Sequence, residues 1–152
     1  MVIINDGPRI DVKSVGEVFG RLGLKPPAQY VAFLLEHNGG VPCPSMFPIL
    51  GFYRIRTSEI EYFLSINSFE NYSNIESVYR RLKQDLPDGL IPIASASGGA
   101  KLVISCRQRD HGAIYYFELQ EIDPDDLEAA IFPVALNFEQ LLNSLVADNP
   151  KQ

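Results

Sequence analysis

Three observations predict an α+β fold: helical periodicity in the first forty residues, three short apolar runs joined by turns across residues 90–119, and a helical pattern that returns after Asn137. Helices, then consecutive strands, then a helix keep the two element types apart along the chain. Alternating strand and helix would instead point to a parallel sheet. The expected architecture is one domain over residues 1–152, an antiparallel-rich sheet with a meander over about 91–118, packed by N-terminal helices and a C-terminal helix. A chain of this length buries roughly 68–70% of its unfolded surface, enough for a core without disulfide or metal.

The elements follow in order. Val12, Val15, Val18, Phe19 and Leu22 recur at helical spacing, against a cost of about 1 kcal/mol each for Gly16 and Gly20. Pro26-Pro27 interrupts and restarts the chain. Pro27 suits a first helical turn, Tyr30, Phe33, Leu34 and His37 share one face, and Gly39 is expected to supply the positive φ that ends the helix. After a loop carrying Pro42, Pro44 and Pro48, GFYRIRT (51–57) reads as a strand. Ser58 with Glu61 makes a capping box for a short helix through EIEYFLS. A longer helix, NIESVYRRLKQDL, turns Ile75, Val78, Tyr79 and Leu82 inward and stops at Pro87-Asp88-Gly89.

LIPIASA, KLVISC and AIYYFEL read as strands whose short connections demand hairpins. Asp123 is expected to cap a helical turn through PDDLEAA, with Pro124 at its first position. Asn137 caps a final helix that buries Phe138, Leu141, Leu142 and Leu145.

Charge narrows the partners. The net charge is −6, and the stretch from Glu118 to Asp148 holds Glu118, Glu121, Asp123, Asp125, Asp126, Glu128, Glu139 and Asp148 with no lysine or arginine. Nucleic-acid affinity comes from basic contacts to phosphates, so this balance argues against nucleic acid and for a basic protein partner. Glu118, Glu121, Asp123, Asp125, Asp126 and Glu128 are the candidate partner-binding residues. No segment has the ~18 consecutive apolar residues of a membrane span, and MVIINDGPRIDVK does not read as a secretory signal, so a cytoplasmic location and no membrane partner are expected.

Chemistry-bearing combinations are few. His37, Cys43, Cys106 and His111 lack Cys-x-x-Cys or His-x-x-x-His spacing, so no metal is expected, and the two cysteines read as reduced thiols. Ser97-Gly98-Gly99-Ala100-Lys101 lacks the full phosphate-loop pattern and reads as a hairpin turn with Lys101 an exposed strand start. The Asp123–Glu128 run lacks the spacing of a calcium loop. Neither a cofactor nor a catalytic residue is expected. The competing reading, a small hydrolase or ligand-binding domain, would use His37, Cys43 or the Gly98-Gly99 turn.

Three segments carry a family resemblance: PPAQYVAFLLEHNGG (26–40), LIPIASASGGAKLVISC (90–106) and FPVALNFEQLLNSL (132–145). In order and spacing they resemble the SUKH superfamily, the family of the fungal cell-wall-synthesis regulator and of many bacterial immunity proteins. Tyr30, Phe33, Leu34, Asn38, Gly39, Gly40, Gly98 and Gly99 fall on its motif positions. The family often carries an acidic residue just after the Gly-Gly turn, where this chain has Ala100-Lys101. An aspartate or tryptophan usual after its third strand is replaced here by Tyr116-Phe117-Glu118.

The resemblance implies a non-enzymatic domain that binds a protein. In the bacterial case the partner would be a toxin, often a nuclease, whose active or substrate surface the immunity protein covers. The alternative it implies is a regulatory scaffold of the fungal type.

Overall fold

The computed structural model describes residues 1–147, and within them eight strands and four α-helices, largely segregated along the chain, make an α+β fold. Asp148, counted in the acidic stretch above, lies outside the described residues. Strand β1 (Val2–Ile4) precedes helices α1 (Val12–Leu22) and α2 (Ala28–Glu36). Short strands β2 (Val41–Cys43) and β3 (Met46–Pro48) lead into β4 (Thr57–Phe63) and α3 (Ile75–Leu82). Then come β5 (Leu90–Ala96), β6 (Lys101–Ser105), β7 (Ile114–Phe117), β8 (Ile131–Ala135) and α4 (Phe138–Ser144).

Strands β3 to β8 form one six-stranded sheet in sequence order, each antiparallel to the next, while β1 and β2 pair separately. The sheet curls until its two ends meet. Leu50 donates its N–H to the Pro133 carbonyl at 2.9 Å, and Met46 pairs with Val146. Register shifts at Ile60/Tyr62, Pro92/Ala94 and Ile114/Tyr115 supply the extra twist that such curling needs. The shift beside Pro92 also explains how a residue without an N–H sits in a central strand.

Every residue of β5 and β6 is buried, because this pair is covered on both faces. On one side the aromatic floor joins Tyr30, Phe33, Phe63 and Phe138, with ring centroids 4.7–5.9 Å apart. Each such fully buried ring contributes roughly 1.5–3 kcal/mol relative to exposure. A second aromatic group, Phe47, Phe52, Tyr116 and Phe132, fills the seam where the sheet ends approach.

Helix ends behave as their side chains direct. Asp11, Asn74 and Asn137 each accept the backbone N–H three residues on and cap α1, α3 and α4. The end of α2 differs from expectation, because the left-handed step falls on Asn38 (φ 46°) before Gly39 (φ 118°). Asn38 can take it because its buried side chain is held three ways: it accepts from Ile66 N–H at 2.8 Å and donates to the Pro8 and Ile66 carbonyls at 2.7 and 3.0 Å.

Residues 51–65 overturn two expectations. GFYRIRT is mostly loop, and the strand occupies Thr57–Phe63, where a capped helix through EIEYFLS was expected. Ser58, Ile60 and Phe63 are buried while Thr57, Glu59 and Glu61 face out, close to a period of two. Pairing with both β3 and β5 satisfies this backbone, and that outweighs a local capping box. Four further strands were unforeseen: β1 near the start of the chain, β2 and β3 inside the proline-rich loop, and β8 within FPVA, read above only as part of the third motif segment.

Candidate functional site

The acidic segment is the loop between β7 and β8. Its two ends are tied where Glu118 donates its N–H to the Ala130 carbonyl at 2.9 Å. Half-buried Leu119, Ile122 and Leu127 hold it down, and two 3₁₀ turns, Leu119–Glu121 and Leu127–Ala130, carry the chain between them. The helical turn expected to start at Asp123 is therefore a 3₁₀ turn starting after Asp126. The Asp123 carboxylate instead accepts the Asp125 N–H at 2.9 Å, and the Asp126 N–H bonds the Asp123 carbonyl at 3.0 Å.

The expectation that these acids lack compensating bases is corrected by the fold, which brings arginines from distant sequence. Arg54, on the loop before β4, reaches Glu121 at 3.2 Å and Gln120 Oε1 at 3.1 Å. Arg107 donates to Glu128 at 2.5 Å, and Arg109 pairs with the same carboxylate oxygen. Glu118 is half-buried and makes no ion pair among the described residues. Asp123, Asp125 and Asp126 are exposed and likewise without an ion pair. The six candidate acids thus resolve into two neutralised groups, one half-covered group and three bare ones.

Arg107 is itself anchored in a polar cluster that sequence reasoning missed. Asp110 receives Arg107 through both carboxylate oxygens, at 3.0 and 2.5 Å, and accepts the Ser105 and Tyr115 hydroxyls at 2.5 Å each. Burial alone would push the Asp110 carboxyl up, but three hydrogen-bond donors and the Arg107 charge together hold it well below the usual carboxylate range. The Arg107 guanidinium is raised, chiefly by its hydrogen bond to Asp110. An Arg-x-x-Asp pair inside a hairpin turn was the available signal, and reading Gln108–Gly112 as a plain turn passed over it.

The motif residues are structural. Tyr30, Phe33 and Leu34 are buried, and the Tyr30 hydroxyl finds no protein partner among the described residues, its pKa pushed up by burial. At Gly39 a Cβ would stand 2.3 Å from Ser65 Oγ, and at Gly40 one would stand 2.5 Å from Ile3 Cγ2. Asn38-Gly39-Gly40 is thus a close-packed junction between α2, β1 and the segment after β4. Gly98 and Gly99, both at positive φ, form the β5–β6 turn.

Lys101 corrects its expectation: it is 9% exposed rather than an open strand start. It lies between Ser95 and Phe117 in the sheet, and its ammonium reaches Ser95 Oγ at 3.3 Å. Burial lowers its pKa, and the Arg81 charge lowers it further.

His37 closes α2 and places Nδ1 3.0 Å from Asp6 Oδ1. Cys43 is exposed and Cys106 half-buried, both free thiols, with burial pushing Cys106 up to about 12. Among the described residues no three His, Cys, Asp or Glu side chains gather to hold a metal. No described helix is long and apolar enough to cross a membrane.

The curled antiparallel sheet, the helices packed on it and the buried motif residues Tyr30, Phe33, Leu34 and Asn38 define an α+β scaffold. The sequence model of the SMI1 / KNR4 family (SUKH-1) matches residues 13–144, and the chain belongs to that family. Members have immunity or regulator-type protein-binding roles and are generally non-catalytic. No curated protein matches the chain.

Proposed function

We propose that this protein is an immunity protein: a single, non-enzymatic domain, acting in the cytoplasm, that binds a basic toxin domain and covers its active or substrate surface. The observation that carries the reading is the group Asp123, Asp125 and Asp126, three exposed carboxylates on one tied loop that make no ion pair among the described residues. Charges left bare on an otherwise ion-paired rim attract a partner of opposite sign and speed its approach. Glu118, Glu121 and Glu128 border that group, and the arginines on Glu121 and Glu128 fix where their carboxylates stand. The partner is a protein; neither nucleic acid nor membrane takes part.

Co-expression with the product of an adjacent toxin gene tests the proposal. Rescue of growth and a stable copurifying complex are expected. A toxin that still kills, with no complex formed, would overturn it.

A further inference from the structure

A groove of about 590 Å³ lies between α2, α4 and β1, and no residue of the Glu118–Ala130 loop lines it. Its floor is Phe33, Phe138 and Leu142, and it is open because α2 presents the small Ala32 there. Gln29 Oε1 accepts the Glu139 N–H at 2.9 Å and braces the two helices. The lining includes Glu36 and Glu139 and no lysine or arginine. His37, the remaining titratable side chain of the wall, faces the carboxylates of Asp6 and Glu36. Along one border runs β1, which pairs with β2 on one side and, among the described residues, with nothing on the other.

We infer that this groove binds an extended protein segment that pairs along the open edge of β1, places one large apolar side chain over Ala32, and sets a lysine or arginine against Glu36 and Glu139. Each part answers one feature. A strand edge offers unpaired N–H and C=O groups to an extended chain. An apolar floor rewards a large side chain removed from water. Two carboxylates on a wall without lysine or arginine select a cationic neighbour and disfavour an acidic one. The inference stands apart from the acidic loop and does not depend on the nature of a toxin.

A phage-displayed random peptide library panned on the full chain tests it. Enriched peptides should carry an apolar residue next to Lys or Arg, and the strongest, made synthetically, should bind Ala32→Trp and the double variant Glu36→Lys/Glu139→Lys at least tenfold more weakly. Asp125→Lys/Asp126→Lys should bind it as the wild type does. All the substituted side chains are on exposed residues, and unchanged thermal melts confirm that each variant is folded. No enrichment, or a peptide that binds Ala32→Trp undiminished, overturns the groove. Loss with Ala32→Trp but none with the charge variant overturns the selection for a cationic segment.

Discussion

Two groups of acids, close in sequence, end in opposite states. Asp110 and Glu128 are consumed by Arg107, with Arg107 and Asp110 side chains only 14% and 18% exposed. Asp123, Asp125 and Asp126 stand in water and make no ion pair among the described residues. The first group holds the β6–β7 turn to the loop before β8. The second ties nothing beyond its own turn, where Asp123 accepts the Asp125 N–H, so its charges are free to serve a partner. Net charge along a sequence cannot separate Glu128 from the three bare aspartates, because the arginines that neutralise it come from another loop.

The sharpest way to break the contrast is Asp110→Ala. It removes the acceptor of two hydroxyls and a guanidinium from a half-buried site, and we expect about 3 kcal/mol of lost stability by chemical denaturation. The pH dependence has a definite sign. The folded Asp110 pKa lies below its unfolded value, near 3.9 for an ordinary aspartate, so the folded state holds fewer protons in that window. Its contribution is complete above about pH 5 and fades as pH falls below about 4 toward the folded value. Wild type should therefore lose more stability between pH 5 and 3 than Asp110→Ala does; parallel curves would place Asp110 outside the clamp.

Glu128→Gln should have an intermediate effect. Its carboxylate is 45% exposed and screened by water, so removing its charge costs about 1 kcal/mol or less, read as a small shift in the denaturation midpoint. A loss as large as that of Asp110→Ala would mean that the loop before β8 folds as part of the clamp.

How far the sequence announced this arrangement varies along the chain. Helices α1 to α4 and the β5–β7 meander were legible because Phe19, Tyr30, Val78 and Phe138 bury at periods the chain itself displays. Strand β4 was not. Ser58 with Glu61 matches a helix start locally, and only pairing with β3 and β5, distant in sequence for β5, decides otherwise. The same limit applies to the candidate site. The acids were visible, but Arg54 lies 67 residues before Glu121, and a buried Lys101 depends on the strands beside it. Charge pairs and strand neighbours are long-range facts, and periodicity carries none of them.

The smallest effect on stability, and the most telling for function, is expected from Asp125→Lys/Asp126→Lys. Neither carboxylate makes an ion pair among the described residues, both are exposed, and the loop is tied through backbone bonds that the substitutions leave alone, so stability should change by no more than about 0.5 kcal/mol. Binding should respond differently. Reversing two bare charges weakens steering of a basic partner, so the association rate at low salt should fall several-fold while dissociation changes little, and the gap between variant and wild type should close as salt is raised. An unchanged association rate with faster dissociation would put these aspartates in direct contact within a dry interface instead of on a steering rim. An unchanged rate in both directions would move the partner to another face, leaving the clamp and the bare tip different in stability but equally idle in recognition.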